Sequence, residues 1–250
     1  MTEIAEQHKH RLREYFDGVG YERWAAIYGD GPLSRMRRSI RDGHAEMLGL
    51  AEAWLAEGID QRPATSDQVC VDPSNARSSF AVRPWSILDA GCGTGVFSLA
   101  LARRGWHVTA VDIAPQMVAA ARERVGAAGL ADRATFLAGD LEVVEGTFDA
   151  VACFDVLIHY GRAGFARMCR QLAGLTRGPL LLTYAPHEPL LAALHWVGGR
   201  FPHGSRRTDI QMLPERFVRA TLAEAGMRVR RQARISRGVY HVALVEAVPV

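Results

Sequence analysis

Strand-like and helix-like segments alternate along most of the chain, and this alternation constrains the fold more than any other feature. Apolar runs typical of strands lie at 86–90, 107–112, 134–140, 149–156 and 179–185, and helical patterns at 97–105, 115–129, 162–176 and 214–226. Such alternation predicts a parallel sheet covered by helices. Two further strand-like runs, 228–236 and 238–248, are too close for a parallel crossover and must be antiparallel. We therefore expect an α/β, doubly wound, Rossmann-like seven-stranded sheet: five parallel strands plus a C-terminal antiparallel hairpin.

The segments outside this pattern suggest additional parts. Residues 1–59 predict a helical arm or lid, whose third helix carries a candidate buried stripe: Met36, Ile40, Met47, Leu48 and Leu55. Residues 60–84 are rich in Gln, Pro, Ser, Asp and Arg and predict a flexible linker to the domain at 85–250. Residues 187–213 do not fit the alternation and indicate an insertion after the fifth strand.

Composition limits the classes of protein. The chain has 250 residues, of which 48% are hydrophobic, with no apolar run long enough to span a membrane and no signal-peptide pattern. The spacing of the four cysteines matches no metal-ligand motif. The net charge of +3 is spread along the chain and does not indicate a nucleic-acid surface. We expect a soluble cytoplasmic protein with reduced thiols and no bound metal.

The string ILDAGCGTGVFSLALA places a glycine-rich turn between the first strand and a helix. Gly91, Gly93 and Gly95 can adopt positive φ and let backbone amides approach a ligand at the helix N-terminus. Dinucleotide sites usually keep a third glycine where this chain has Val96. Asp89, just before the turn, would repel a phosphate and attract a cation.

Two acidic residues end the following strands. Asp112 lies 21 residues after Gly91, where a carboxylate can accept hydrogen bonds from both ribose hydroxyls, although it could instead cap the next helix. Asp140 ends the third strand, where it is either a ligand contact or an ordinary loop residue. Ile113 and Met117 could pack on a base, although apolar residues at this spacing more often belong to a core.

The fourth strand is followed by DVLIHY, which contains His159. A histidine here is either a core residue hydrogen-bonded to backbone or a ligand contact. Open α/β sheets bind ligands outside the carboxyl ends of their strands, and this favours the second interpretation.

With LDAGCGTG, Asp112 and GDLE in place, the chain resembles the class I methyltransferases that use S-adenosylmethionine. That resemblance implies S-adenosylmethionine as methyl donor, with Asp140 and the amide of Leu141 at the adenine edge. Motifs in the arm narrow this resemblance to one methyltransferase family. YFDGVGYERW and IYGDG, together with DVLIHY, TYAPHEPLL and LVEAV, resemble magnesium-protoporphyrin IX methyltransferase of chlorophyll and bacteriochlorophyll synthesis.

This resemblance implies methyl transfer to the ring C propionate of magnesium protoporphyrin IX, giving the monomethyl ester. It implies catalytic roles for Tyr28 and His159, which we expect to hold the propionate in line, since a carboxylate is already ionised at neutral pH. His159 as an axial magnesium ligand is the alternative. The residues expected to bind the substrate come from the arm, the fourth strand and the insertion: Tyr15, Tyr21, Trp24, Asp155, Arg206 and Arg207. The arginines could equally be solvated.

The resemblance also implies contact with the porphyrin-binding subunit of magnesium chelatase, and at most peripheral association with the photosynthetic membrane. Two other functions fit the residues. A quinone or phenol O-methyltransferase would need His159 as a base, because a phenol has a pKa near 10. A non-catalytic porphyrin carrier is the third, and the intact glycine turn argues against it.

Overall fold

The structure is a computed structural model that describes residues 3–29, 31–60, 69–70, 81–187 and 210–250. The arm is helical as predicted, with three helices: α1 (Glu3–Phe16), α2 (Val19–Tyr28) and α3 (Arg35–Asp60). Four more helices follow in the described part of the chain: α4 (Val96–Arg103), α5 (Pro115–Ala127), α6 (Arg162–Gly174) and α7 (Glu215–Glu224).

The strands form the predicted doubly wound sheet. Their bounds are as follows: β1 (Val69–Cys70), β2 (Ala81–Val82), β3 (Ser86–Ala90), β4 (His107–Asp112), β5 (Ala134–Ala138), β6 (Ala150–Cys153), β7 (Leu180–Pro186), β8 (Met212–Leu213), β9 (Met227–Arg237) and β10 (Tyr240–Pro249). The main sheet has the order β5-β4-β3-β6-β7-β10-β9. β3 to β7 are parallel, and β10 pairs antiparallel with both β7 and β9. The five parallel strands and the C-terminal hairpin are confirmed.

The sheet differs from the prediction by one short strand. β8 pairs in parallel with the end of β7, at Ala185 and Pro186, so the sheet has eight strands among the described residues and not seven. A strand of two residues carries no alternation of apolar and polar side chains, and the sequence pattern could not reveal it.

Helices cover both faces of the sheet, and the arm contributes to one of them. Met47, Ala51 and Leu55 of α3 are buried in one core cluster with Ile87 of β3 and Leu101 of α4. The other face is packed by α6 and α7. Most of α3 is therefore part of the domain core, and it anchors the rest of the arm.

The predicted stripe on α3 is buried only in its C-terminal part. Met47, Leu48 and Leu55 are buried, whereas Met36 is 56% exposed, which corrects the prediction. The reason is that Ser39, one turn after Met36, already packs against Gly238 at the end of the β9–β10 hairpin. The first turn of α3 therefore extends past the sheet.

The linker and the insertion are only partly described. α3 continues to Asp60, and β1 and β2 form a separate antiparallel pair within the predicted linker. Residues 61–68 and 71–80 lie outside the described residues, as do residues 188–209 of the predicted insertion. Among the residues that are described, no helix combines the length and apolar character needed to cross a membrane.

An ion pair joins the edge of the sheet to α3. Glu246 of β10 is fully buried and lies 2.5 Å from Nε of Arg231, its cross-strand partner on β9. The same guanidinium donates to the carbonyl oxygen of Trp54 and pairs with Glu57 on α3. Arg231 therefore neutralises a buried carboxylate and attaches α3 to the hairpin.

Replacing Arg231 by Met is expected to lower the free energy of unfolding by about 2–4 kcal/mol, because it leaves the buried Glu246 carboxylate without its nearest cation. Arg230, whose Nε lies 3.8 Å from Oε2 of Glu246, replaces only part of the lost attraction to this carboxylate. Arg228→Met, at an exposed position of the same strand, is the matched control and should change stability by less than about 0.5 kcal/mol. Chemical denaturation measures both, and equal stability of the two variants would contradict this assignment.

Candidate active site

The glycine turn connects β3 to α4 as the sequence predicts. Gly91, Gly93 and Gly95 have φ of 83°, 51° and 75°, the left-handed region that favours glycine. A Cβ on Gly91 would lie 2.0 Å from Val156, and one on Gly95 would lie 2.7 Å from Ala121, so protein packing excludes a side chain at both. A Cβ on Gly93 would meet no protein atom within 4 Å. Gly93 therefore borders open space that a ligand can approach closely.

Asp112 ends β4 directly beside this turn. Its carboxylate accepts hydrogen bonds from the backbone N–H groups of Gly93 and Ala114, both at 2.9 Å. A carboxylate has about four lone-pair positions, so two remain for other donors. Burial raises the pKa of Asp112, and the backbone hydrogen bonds oppose this effect. Asp112 thus fixes the residue that precedes α5, and the contact of its remaining lone pairs with ribose hydroxyls stays a prediction.

Asp89 is buried below the turn and accepts a 2.5 Å hydrogen bond from the hydroxyl of Ser98. The pKa of Asp89 is raised to about 6: burial is the main cause, the hydrogen bond from Ser98 opposes it, and repulsion by Asp112 adds to it. Two carboxylates beside one glycine turn make this part of the cavity attractive for a cation.

Asp140 has two protein partners at the end of β5. One oxygen accepts from the backbone N–H of Glu142, and the other lies 2.6 Å from Nζ of Lys9, which α1 brings in. Lys9 also pairs with Glu142 at 2.8 Å and is only 5% exposed. Asp140 and the buried Leu141 both line the cavity, at the position proposed for the adenine edge. The same carboxylate therefore holds the arm in place.

Ile113 and Met117 line the cavity at the start of α5. Met117 is 2% exposed, so it belongs to the core and touches the cavity only at its surface, whereas Ile113 is half-buried. The backbone N–H of Gln116 donates to the carboxylate of Asp17, which follows α1. The arm thus caps α5, the helix that carries Met117 and that Ile113 precedes.

A cavity lies between the arm and the carboxyl edge of the sheet. The sheet side contributes the glycine turn, Asp89, Asp112 and Asp140, and the arm contributes apolar and aromatic side chains: Leu12, Phe16, Trp24, Tyr28, His44 and Leu48. An apolar and aromatic lining with a few converging polar groups is typical of small-molecule sites.

His159 lines this cavity, which favours the ligand interpretation. It ends a 3₁₀ turn (Leu157–His159) after β6, and its ring is buried against Phe16 at 5.4 Å between centroids. The carbonyl oxygen of His159 accepts a hydrogen bond from Nε2 of His8 on α1. The backbone N–H of Gln211, just after the undescribed part of the insertion, donates to the carbonyl oxygen of Ile158. The arm and the end of the insertion therefore both contact the 3₁₀ turn that carries this histidine.

The other predicted substrate residues have different positions. Trp24 lines the cavity, whereas neither Tyr15 nor Tyr21 does, and the Tyr15 hydroxyl accepts from Arg23. Asp155 lines the cavity, but its carboxylate accepts hydrogen bonds from Thr183 and Tyr240. Arg206 and Arg207 lie outside the described residues.

Three of the site residues that sequence reasoning missed are basic. His44 lines the cavity, Lys9 pairs with Asp140, and Arg124 donates to the carbonyl oxygen of Thr94 in the glycine turn. Only His44 had a local signal: it follows a glycine within a long helical pattern, and such a glycine often marks a close contact. The partners of Lys9 come from a distant strand, and no local pattern indicates them.

The strand order, the glycine turn and the acidic ends of β4 and β5 define a class I methyltransferase that uses S-adenosylmethionine. Residues 87–177 match the family model of the methyltransferase domain, and residues 153–249 match that of the magnesium-protoporphyrin IX methyltransferase C-terminus. The magnesium-protoporphyrin O-methyltransferase of Synechocystis is 32% identical over 99% of both chains. The crystal structure of magnesium protoporphyrin IX methyltransferase from Synechocystis PCC 6803 with bound S-adenosylhomocysteine superposes with a TM-score of 0.80, at 31% identity, covering 96% of this chain and 98% of that one. The chain belongs to the magnesium-protoporphyrin IX methyltransferase family.

A ubiquinone biosynthesis O-methyltransferase from Methylocella silvestris is also similar, at 32% identity over 83% of this chain and 78% of that protein. The similarity reflects the shared methyltransferase class. The acceptor must therefore be distinguished by the parts of the chain that surround it, and by experiment.

The affinity for S-adenosylmethionine should decrease as the pH falls through about 6, because protonation removes the negative charge of Asp89 that attracts the cationic donor. At pH 5 about one tenth of Asp89 is ionised, so affinity should be about tenfold lower than at neutral pH. Calorimetric titration across this range measures the effect.

Asp89→Asn is the matched control for this measurement. The variant keeps the shape of the side chain and cannot ionise, so its weaker binding should change little between pH 7 and pH 5. An equal decrease in the variant would assign the pH dependence to another group.

Proposed function

We propose that this chain transfers the methyl group of S-adenosylmethionine to the ring C propionate of magnesium protoporphyrin IX, giving the monomethyl ester and S-adenosylhomocysteine. The observation that carries this proposal is the cavity in which the glycine turn faces an arm of aromatic and apolar side chains. Such a lining suits a flat apolar macrocycle placed over the donor. The choice of the ring C propionate rests on the family resemblance alone.

Methyl transfer to a carboxylate does not require a general acid or a general base. A propionate has a pKa near 4.3 and is already a nucleophile at neutral pH. S-adenosylmethionine, when bound, supplies an activated methyl group on a sulfonium. The residues of this chain then have to align the carboxylate oxygen with that methyl and exclude water from the reacting groups. The aromatic arm, seated on the sheet through Lys9 and Asp17, supplies the exclusion.

We propose Tyr28 and His159 as the residues nearest the reacting groups. Both line the cavity, one on the arm and the other after β6, so they face the donor site from two sides. In this proposal His159 orients the propionate. An axial contact of His159 with the magnesium of the substrate is the alternative assignment.

Substrate binding extends beyond the reacting carboxylate. We propose that Trp24 packs on the macrocycle and that Tyr15 and Tyr21 reach it only after the arm adjusts, since neither lines the cavity now. Arg206 or Arg207 would pair with the second propionate, because guanidinium groups bind carboxylates well.

We also propose how the substrate reaches the site. Magnesium protoporphyrin is a large apolar ring, and its direct transfer from the porphyrin-binding subunit of magnesium chelatase would avoid its release into water. Peripheral contact with the photosynthetic membrane would serve the same purpose. Both ideas derive from the family resemblance.

A competition assay tests the function. Purified protein with S-adenosylmethionine receives magnesium protoporphyrin, metal-free protoporphyrin and a simple phenol together, and mass spectrometry follows the products. We expect the monomethyl ester of the magnesium porphyrin as the main product, with its position assigned by NMR. Methylation of the phenol alone would favour the quinone-type function, and porphyrin binding without methylation would favour a carrier.

The pH–rate profile separates the two acceptor chemistries. With the porphyrin, kcat should not follow ionisation of the acceptor above pH 6, because the propionate is already charged. A phenolic acceptor would instead give a rate that rises towards its pKa near 10 or depends on a basic His159. A strong rise of kcat with pH for the porphyrin would contradict the proposal.

A further inference from the structure

Tyr28 and His44 form a hydrogen-bonded pair at the arm side of the cavity. The Tyr28 hydroxyl, at the end of α2, contacts Nδ1 of His44 on α3. Trp24 stacks on the Tyr28 ring at 6.0 Å between centroids, and the guanidinium of Arg124 lies 5.9 Å from it. Tyr28 is thus fixed on several sides, and its hydroxyl has a defined partner.

A carboxylate stands behind His44. Oδ2 of Asp155 lies 3.9 Å from Nε2 of His44, on the opposite side of the imidazole from Tyr28. Asp155 is held in turn by Tyr240, whose hydroxyl donates to Oδ2 at 2.8 Å, and by Thr183, whose hydroxyl donates to Oδ1 at 3.0 Å. Asp155 also has a φ of 56°, unusual for a residue other than glycine. A residue held in this conformation by several partners often serves a site.

The position of Asp155 selects the tautomer of His44. A carboxylate near Nε2 favours a hydrogen on that nitrogen, which leaves the lone pair of the neutral ring on Nδ1. Burial lowers the pKa of His44, while the charge of Asp155 opposes this effect. Burial also raises the pKa of Tyr28, so its hydroxyl keeps its hydrogen. The hydroxyl therefore donates to Nδ1 of His44.

We propose that His44 is a positioning residue for Tyr28, held in one tautomer by Asp155, so that the Tyr28 oxygen faces the reacting groups as an acceptor and not as a proton donor. This inference rests on the proposed methyl transfer. An oxygen lone pair would repel the propionate, and it attracts the hydrogens of a positively polarised methyl group through weak C–H···O contacts. In this arrangement Tyr28 contacts the methyl group as it moves from sulfur to oxygen, and His159 holds the carboxylate.

The close approach of α3 to β10 makes this arrangement possible. Gly43 precedes His44, and a Cβ on Gly43 would lie 2.5 Å from the ring of Tyr240 and 3.2 Å from Cβ of Arg237. The glycine lets the helix lie directly on the strand that carries Tyr240. This packing brings His44 close to Asp155, which Tyr240 also contacts, although the two residues are 111 positions apart in the sequence.

A double-mutant cycle on the whole protein tests the proposal. Tyr28→Phe and His44→Phe should each lower kcat for methyl transfer to the porphyrin by about ten- to a hundredfold, with little change in either KM. If His44 acts through Tyr28, the double variant should be no slower than Tyr28→Phe. His44→Asn, whose amide can reach the position of Nδ1, should recover part of the activity that His44→Phe loses.

Two results would overturn the proposal: effects on kcat that multiply in the double variant, or a His44→Phe variant with the activity of the wild type. The affinity for S-adenosylhomocysteine shows whether each variant keeps the folded donor site. If the wild type does not methylate the porphyrin at all, the proposed function fails, and the same cycle can be measured with whichever acceptor is methylated.

The tautomer of His44 can be observed directly by NMR in the wild-type protein. In wild-type protein with ¹⁵N-labelled histidine, the His44 ring should show an unprotonated Nδ1 and a protonated Nε2, with His44→Asn used for assignment. Asp155→Asn should shift this balance towards hydrogen on Nδ1. A wild-type ring protonated at Nδ1 would overturn the proposal, because the Tyr28 hydroxyl would then accept from His44.

Discussion

The carboxylate of Asp112 holds two backbone N–H groups, those of Gly93 and Ala114, and the geometry of the whole site depends on this one side chain. It ties the glycine turn after β3 to the start of α5 after β4. The parallel order of the strands brings both connections to the same edge of the sheet. Once this edge is fixed, the other polar groups of the site have defined distances from it.

The arm closes over this edge through contacts of different kinds. Lys9 forms buried ion pairs with Asp140 and Glu142, Asp17 caps α5, and Tyr28 reaches the His44 ring beside Asp155. Each contact joins an arm residue to a group that belongs to the cavity or borders it. Apolar side chains fill the space between them. Site and arm therefore form one unit, and α3, packed in the core, supports it from the side.

Local patterns in the sequence were sufficient to predict the strands, the helices and the glycine turn, because each depends on periodicity or on residues next to one another. Asp112 and His159 could also be located, since the ends of parallel strands meet at one edge. Lys9 could not, and the glycine before His44 was the only local signal for that residue. Their carboxylate partners, Asp140 and Asp155, are far away in sequence, and only the tertiary contacts of α1 and α3 bring them together. The exposure of Met36 has the same origin, because periodicity does not tell where a sheet ends.

The three glycines of the turn are required for different reasons. At positions 91 and 95 the protein itself leaves no room for a side chain, because Val156 and Ala121 already occupy the space. At position 93 the space is open to the cavity. In a descendant that lost its methyl donor but kept its shape, selection would still retain the first and third glycines. At Gly93 only the positive φ would still favour glycine, and asparagine or aspartate can adopt that conformation, so this position would be the first of the three to vary.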